Sequence, residues 1–348
     1  MRGEYLNVPS RARHRNKINF FIIDKNKIFQ KSKLKMEQPK IATRDGYGKA
    51  LAELGKINPN VVVVDADLGD STKAETFGKL FPERYFTMGI AEQDMIGAAA
   101  GLSVSGKIPY ASTFAVFSER AYEFVRNIVS RNKLNVKIAA SHSGIATGED
   151  GKSAQAIEDI AAYRALPNLI ILQPCDSIEA EKMVFTLADY KGPSYMRLHR
   201  TPVVAIHDSN YKFEIGKAEI LKEGKDAVIF ASGTMVHEAL KAYDILKNEN
   251  LNVCIVNVST IKPLDSNLII ELAKKTNCVI TAEDHNIIGG LGGAIAELLS
   301  ENYPCIIKRI GMQDRYAESG NPGELYKKYG LSAETIAEET KKMIARKK

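Results

Sequence analysis

From residue 36 onward, short apolar runs alternate with longer amphipathic stretches, and this alternation constrains the fold more than any other feature of the sequence. The runs end in glycine, serine, aspartate or threonine, and the four valines at 61–64 are the clearest example. Such a run fits a strand buried on both faces, while the amphipathic stretches fit the helices that cover it. The pattern therefore predicts βα units around parallel sheets, which is an α/β fold.

The predicted elements fall into two groups separated by a polar segment. Residues 201–212 include Pro202, Asp208 and Asn210, interrupt both periodicities and are predicted to be a linker. Two doubly wound α/β domains follow from this division, at residues 36–200 and 213–348. The predicted strands are 61–64, 108–111, 136–140, 170–173, 194–198, 227–232, 253–258, 278–282 and 305–310, and the predicted helices are 96–104, 119–129, 235–247, 267–275 and 293–299.

Length and composition agree with two packed cores. The chain has 348 residues, of which 45% are hydrophobic and 26% are charged. A length of this order suggests two domains, and the composition excludes wholesale disorder, collagen-like repetition and coiled coil. Since no stretch approaches the ~20 apolar residues that a bilayer-spanning helix needs, we expect no such helix.

The basic charge of the chain lies almost entirely in its first 35 residues, which hold ten lysines and arginines against two acids. The remaining residues carry a small negative balance, so nucleic-acid binding by the folded body is disfavoured. We expect this segment to be poorly ordered, or to precede a translation start at Met36. A transit peptide and an arm-like extension remain alternatives.

The four cysteines are Cys175, Cys254, Cys278 and Cys305, and no two of them form a C-x-x-C pair. This spacing fits neither a disulfide framework nor a zinc cluster, and the six histidines show no metal-binding spacing. We therefore expect reduced thiols, a cytoplasmic location and no metal held by the chain itself.

Several polar residues follow predicted strands, and in open parallel sheets ligands bind at those strand ends. Asp65 and Asp67 follow the valine strand, His142 and Asp150 follow the strand at 136–140, and Arg200 follows the strand at 194–198. We expect these five side chains to face one cleft.

Three further motifs occur in a fixed order along the first half. Residues 89–93 read G-I-A-E-Q, Phe114 and Phe117 lie three residues apart, and residues 141–151 form a glycine-punctuated loop with one histidine and two acids. Alone, Glu92 is compatible with an ordinary helix-start acid, and the phenylalanine pair with core packing. Together, from about Ile41 to the end, the motifs resemble the carboxyl-terminal half of transketolases.

The resemblance implies a pyrimidine-binding domain of a thiamine diphosphate enzyme followed by a transketolase C-terminal domain. By the same resemblance, Glu92 contacts N1′ of the cofactor's aminopyrimidine, Phe114 and Phe117 pack on that ring, and Asp67 lies near the cofactor. The catalytic residues implied are Glu92 and His142. An acid held in an apolar site is suited to proton exchange near neutral pH.

The substrate residues that the resemblance implies are Arg44, Ser71 and Arg200 for the sugar phosphate, His142 for the reacting carbonyl, and Asp150 for a hydroxyl of the donor sugar. An arginine fork with a hydroxyl group matches the geometry of a phosphate monoester. The activity implied is transfer of a two-carbon ketol unit between sugar phosphates of the pentose phosphate pathway. Three unrelated surface residues are the alternative for the phosphate set.

The chain departs from the family pattern at three places. Ala154 stands where many relatives have histidine or glutamine, and Arg120 stands where some have a third aromatic residue; Gln155 and Tyr122 are the neighbouring polar and aromatic side chains. No G-D-G string occurs, although the family binds the cofactor's diphosphate and Mg²⁺ through a G-D-G…N motif. The resemblance therefore implies a partner subunit that carries this site, in a hetero-oligomer such as a heterotetramer.

The favoured hypothesis is thus the C-terminal subunit of a split transketolase. A β-subunit of a 2-oxo acid dehydrogenase and a non-catalytic scaffold subunit are the alternatives. In the second domain, residues 289–293 form a Gly-rich turn after Ala282–Glu283–Asp284–His285. Such a turn is weak support for a ligand site on its own, and tight packing of a strand against a helix is the favoured interpretation.

Overall fold

The computed structural model describes residues 39–347, so the predictions for residues 1–35 lie outside the described part of the chain. Fourteen strands are present in that part, and they form two large sheets and one small one. In chain order they are β1 (Lys40–Ile41), β2 (Val61–Asp65), β3 (Tyr85–Thr87), β4 (Ile108–Phe114), β5 (Lys137–Ser141), β6 (Ile170–Leu172), β7 (Ser194–Arg197), β8 (Val203–Val204), β9 (Glu219–Lys222), β10 (Ala227–Ala231), β11 (Val253–Asn257), β12 (Thr260–Lys262), β13 (Val279–Asn286) and β14 (Ile307–Met312).

Helices cover both faces of the large sheets. They are α1 (Thr43–Ile57), α2 (Gly69–Thr72), α3 (Glu75–Leu80), α4 (Glu92–Val104), α5 (Ala115–Ser118), α6 (Tyr122–Phe124), α7 (Asp159–Arg164), α8 (Ser177–Asp189), α9 (Met235–Asn248), α10 (Ser266–Thr276), α11 (Leu291–Asn302), α12 (Pro322–Tyr329) and α13 (Ala333–Lys347). Single turns of tighter helix lie at Pro82–Arg84 and Glu119–Ala121, and Ile145–Asp150 contains two such turns separated by a kink at Gly148. A wider helical turn lies at Val125–Ser130. Within residues 39–347, none of the helices is long and apolar enough to cross a membrane.

The first large sheet has seven strands in the order β12-β6-β7-β5-β4-β2-β3. All of its pairings are parallel except that of the edge strand β12 with β6. The second has five strands in the order β14-β13-β10-β11-β9, and only the edge strand β9 is antiparallel. The prediction of an α/β fold built on parallel sheets is therefore confirmed.

Burial on both faces explains why the strands are continuous apolar runs. In β2, Val61 and Val63 belong to the core on one face, while Val64 packs into the core on the other. Strand β10 repeats the arrangement, with Ile229 facing one core and Phe230 the opposite one. Successive side chains of a strand point to opposite faces of the sheet. Because helices cover both faces, the side chains on both sides are buried and apolar.

Three local predictions differ from the structure. The helix expected at 119–129 is a series of short helical turns between Ala115 and Ser130, whose hydrogen-bond spacing changes along the segment. The edge strands β3, β9 and β12 are absent from the predicted set, because they are short and partly polar. The segment predicted as a linker contains β8, which pairs with β1 in an antiparallel ladder.

Candidate active site

The carboxyl ends of β2, β4 and β5 lie side by side and position the predicted site residues. Asp65 is opposite Ser112 in the β2–β4 pair, and Phe114 is opposite Ser141 in the β4–β5 pair. The residues that immediately follow these strands therefore share one edge of the sheet, as the strand-end rule predicts.

His142 is at the centre of this edge and is 2% exposed. Its ring stacks on Phe114 with 3.6 Å between ring centroids, and Phe114 in turn stacks on Phe117 at 5.5 Å. Ser141 Oγ is 3.0 Å from Nδ1, and a guanidinium nitrogen of Arg44 is 3.3 Å from Nε2. The backbone of His142 has a left-handed φ of 60°, an uncommon conformation for a residue with a side chain, and such conformations cluster at functional sites.

The contacts of His142 define its protonation. Arginine can only donate, so Nε2 must be the acceptor, and Nδ1 carries the hydrogen that is donated to Ser141. Burial and the positive charges of Arg44, Arg200 and Lys73 lower the pKa of His142 to about 3. The imidazole is therefore neutral at physiological pH and offers a hydrogen-bond acceptor inside a positively charged pocket.

Arg44, near the start of α1, is half-buried beside this ring. Its Nη1 donates to the backbone carbonyl of Ser71 at 2.9 Å, in addition to the contact with His142. The buried Nε atom has no acceptor among the described residues. A buried donor without a partner is costly, which is expected where a ligand completes the hydrogen bonding.

Arg200, which follows β7, forms hydrogen bonds with the loop after β5. Its Nη1 donates to the backbone carbonyl of Thr147 at 2.8 Å and to Glu149 at 3.0 Å. The Asp150 carboxylate is 3.8 Å away and is exposed. Burial lowers the pKa of Arg44, and the positive charge of Arg200 lowers it further.

Glu92, the first residue of α4, is 3% exposed, and its carboxylate is 3.4 Å from Nη1 of Arg120. Arg120 stands where some members of the family have a third aromatic residue. In the structure it is instead a half-exposed counter-ion for Glu92. Glu92 thus supplies a buried carboxylate at the start of α4, and Phe114 and Phe117 supply stacked rings at and just after the end of β4.

The remaining predicted residues are less closely joined to this cluster. Asp67 is exposed after β2, and within residues 39–347 no hydrogen bond or ion pair connects it to the other predicted site residues. Gln155 is turned inward and donates to the carbonyl of Glu318 at 3.1 Å, so it does not replace the side chain missing at Ala154. Tyr122 donates to the carbonyl of Ala162 and packs on Tyr163.

The Gly-rich turn in the second half is filled by a side chain of this chain. Glu283 accepts hydrogen bonds from the N–H groups of Leu291 at 2.6 Å and Gly292 at 2.9 Å, at the start of α11. A Cβ at Gly290 would lie 2.0 Å from a Glu283 carboxylate oxygen. The glycine there permits close packing of a strand against a helix, as favoured from the sequence.

A second polar cluster lies where the predicted linker meets the body. His207 contacts Asp176 through Nδ1 at 2.9 Å and Glu219 through Nε2 at 2.8 Å; we name these three residues the linker clamp. The group Cys175, Asp176 and His207 is close enough to bind a metal ion. However, one Asp176 oxygen already accepts from two backbone N–H groups and from His207, which favours a structural role.

All four cysteines are free thiols.

Two residues near the site were not identified from the sequence. Lys73 has a left-handed φ of 70° after α2 and adds positive charge beside His142. Asp284 in β13 binds backbone N–H groups of the loop that follows His142. Two adjacent acids inside an apolar strand were the available signal for Asp284, because a buried carboxylate requires partners.

Comparisons with known proteins agree with this arrangement. Residues 39–204 match the family model described as the transketolase pyrimidine binding domain, and residues 216–336 match the transketolase C-terminal domain. The putative transketolase C-terminal section of Methanocaldococcus jannaschii is 49% identical over 298 residues, which cover 84% of this chain and 93% of that protein. Human transketolase is 35% identical over 311 residues, but these cover only 50% of its length.

A solved structure shows the same fold. It is described as a split gene transketolase in an inactive β4 tetramer, and it aligns with a TM-score of 0.81 and 47% sequence identity. The alignment covers 88% of this chain and 99% of that one. The chain therefore belongs to the transketolase family and is similar to the C-terminal section of a split transketolase.

Proposed function

We propose that this chain is the C-terminal subunit of a split transketolase and transfers a two-carbon ketol unit from a ketose phosphate to an aldose phosphate. The observation that carries the proposal is the cluster of Arg44, His142 and Phe114 at the strand ends. It joins a cation with a free donor, a neutral acceptor and an aromatic surface. An anionic sugar bound against a flat cofactor needs these three properties.

The residues present fit the aminopyrimidine of thiamine diphosphate. Glu92 supplies a buried carboxylate for the ring nitrogen, and Phe114 and Phe117 supply stacked rings that are 7° from parallel. When bound, the cofactor supplies a nucleophilic carbon and an electron sink for the two-carbon unit. Arg120 contacts one oxygen of the Glu92 carboxylate at 3.4 Å, and within the described residues the other oxygen is left for the ring nitrogen. Asp67, which is exposed shortly after β2, is proposed to lie near the cofactor.

For the substrate, we propose that Arg44, Ser71 and Arg200 bind the phosphate, that His142 faces the reacting carbonyl and that Asp150 contacts a donor hydroxyl. Burial, followed by the positive charges of Arg44, Arg200 and Lys73, lowers the pKa of His142, and this concentration of positive charge supports the binding of a dianion. His142 Nε2, as an acceptor, is able to take a hydrogen bond from a sugar hydroxyl once Arg44 turns toward phosphate.

We further propose a partner subunit that binds the diphosphate through Mg²⁺. The chain spans about half the length of human transketolase, and it contains no G-D-G string. The domain boundaries at 36–200 and 213–348, and the cytoplasm as the place of the reaction, also remain proposals; the free thiols support the latter.

Reconstitution tests the proposal. The purified chain is expected to be inactive alone and to transfer ketol units after addition of a G-D-G-containing partner, thiamine diphosphate and Mg²⁺. Turnover by the chain alone would refute the need for a partner. Decarboxylation of 2-oxo acids by the complex would support the dehydrogenase alternative, and a complex that binds cofactor without turnover of either substrate class would support the scaffold alternative.

A further inference from the structure

Three consecutive side chains of β13 contact three different elements. Glu283 binds the start of α11, Asp284 binds the loop after His142, and His285 accepts from the N–H group of Ala161 in α7 at 3.4 Å. All three side chains are fully buried. The strand belongs to the second sheet, whereas the loop and α7 belong to the first half of the chain.

The contacts of Asp284 are specific. One carboxylate oxygen accepts from the N–H group of Ile145 at 2.8 Å, and the other accepts from Ala146 N–H at 3.2 Å and from the hydroxyl of Tyr326 at 2.8 Å. Gly144, with φ of 72°, makes room for the carboxylate, since a Cβ at that position would lie 2.2 Å from Asp284 Oδ2. The loop backbone is therefore shaped around this one side chain.

Hydrogen bonds connect the loop that Asp284 binds to residues of the candidate site. Thr147 Oγ1 donates to the backbone carbonyl of His142 at 2.7 Å, and Arg200 donates to the carbonyl of Thr147 at 2.8 Å. Thr201 Oγ1 donates to the carbonyl of Ala146 at 2.7 Å. The residues held by Asp284 are thus one or two positions from groups that fix His142 and Arg200.

We propose that Asp284, supported by Tyr326, is a positioning residue that fixes the loop at 143–151 and thereby aligns His142, Asp150 and Arg200 for ketol transfer. Its meaning for catalysis rests on the proposed function. Asp284 does not touch the reacting atoms; it acts through the backbone N–H groups of Ile145 and Ala146. The second sheet thereby takes part in the site, although the residues proposed to touch ligand are in the first half of the chain.

Hydrogen exchange of the full chain, without cofactor or sugar, tests the placement directly. Asp284→Ala removes both acceptors and is expected to speed exchange at Ile145 and Ala146 by roughly tenfold or more, while Asp284→Asn retains an acceptor and is expected to rescue part of the protection. Glu283→Gln is the matched control, because it alters a neighbouring buried carboxylate that binds α11. Unchanged exchange at the two loop amides in Asp284→Ala would overturn the proposal.

Kinetics of the reconstituted complex provide the second readout. Asp284→Asn is expected to lower kcat/KM for phosphorylated ketoses by about tenfold or more, with a fall in kcat and a rise in KM, because a displaced loop moves His142 and Asp150 together with Arg200, a proposed phosphate ligand. Tyr326→Phe is expected to have the same effect in weaker form, and Glu283→Gln to leave the ratio of kcat to KM unchanged. Equal losses in Asp284→Asn and Glu283→Gln would show general destabilisation and overturn the proposal. Inactivity of the wild-type complex would refute the proposed function, while the exchange result still decides whether Asp284 holds the loop.

Discussion

Two buried histidines, His142 at the candidate site and His207 in the linker clamp, have opposite surroundings. His142 faces Arg44, Arg200 and Lys73, and burial with these charges lowers its pKa to about 3. Burial alone would lower the pKa of His207 as well, but hydrogen bonds to Asp176 and Glu219 raise it to about 10. At pH 7 the first ring is therefore neutral and the second is charged.

This difference indicates that the surroundings of His142 suit a ligand, whereas the linker clamp stabilises the fold. In the linker clamp, both ring nitrogens of His207 contact a carboxylate, and Asp176 also caps α8 through the N–H group of Glu179. At the site, the charges that act on the His142 ring are all positive, and Arg44 Nε has no acceptor among the described residues. Since like charges and unpaired donors destabilise a folded chain, their retention is understandable where an anionic ligand supplies the missing partner.

The largest expected effect is on kcat, which a substitution at the candidate site should lower and the same substitution in the linker clamp should not. Glu92→Gln should lower kcat of the reconstituted complex by about 10²–10⁴-fold, because an amide cannot exchange the proton that a carboxylate exchanges. The matched control is Glu219→Gln in the linker clamp, which makes the same chemical change and should leave kcat of the folded complex unaltered. Steady-state rates at saturating cofactor measure both. If Glu92→Gln stays within threefold of wild type, Glu92 is only a helix-start acid.

The next expected effect is on stability, where substitution in the linker clamp should cost more than substitution at the site. His207→Gln should lower the free energy of unfolding by about 3–5 kcal/mol at pH 7, because it leaves the buried carboxylate of Asp176 without its cation. His142→Asn should cost much less, since it removes a neutral ring from a group of positive charges. Urea denaturation of the two variants measures both free energies. The contrast between the regions is wrong if His142→Asn is the more destabilising of the two.

The proposed phosphate ligands give a smaller and more selective effect. Arg44→Ala and Arg200→Ala should each raise KM for phosphorylated sugars by roughly 10–100-fold, because each removes a charge-assisted contact worth about 1.5–3 kcal/mol. Unphosphorylated analogues should show little change. Arg164→Ala, which removes an arginine paired with Glu297, serves as the control. Equal losses on both substrate classes would assign structural roles to Arg44 and Arg200 and favour the dehydrogenase alternative.

The same contrast shows what was predictable from the sequence. Buried parallel strands such as β2 and β10 were identified because burial on both faces produces an uninterrupted apolar run. The strand-end rule placed His142 at the ligand-binding edge of the sheet, whereas Phe114 was assigned from the family resemblance. Edge strands such as β12 were not identified, since they are short and partly polar and therefore leave no continuous apolar run. Pairings such as Asp284 with Ile145 were also beyond reach, because local pattern does not specify contacts between residues 139 positions apart.

The smallest expected effect is on the pH dependence of stability. Because the pKa of folded His207 is raised from 6.5 to about 10, its stabilising contribution is complete below pH 6.5 and is lost as the pH rises toward 10. Asp176, Glu179, Glu219, Tyr211 and Cys175 face this ring, and burial raises the pKa of the Tyr211 hydroxyl and the Cys175 thiol, so neither competes in this range. His207→Gln should therefore lose stability less steeply between pH 7 and 10 than the wild type.

For His142 the dependence runs the other way. Its folded pKa of about 3 lies below 6.5, so the unfolded chain binds more protons between these values, and stability falls as the pH drops. His142→Asn should flatten this acid limb, although His199, whose pKa burial also lowers to about 3, keeps part of the slope. Melting temperatures across pH 4–10 measure both limbs. Identical changes of slope in the two variants would mean that the histidines do not carry opposite charge states, and the distinction between site and linker clamp would fail.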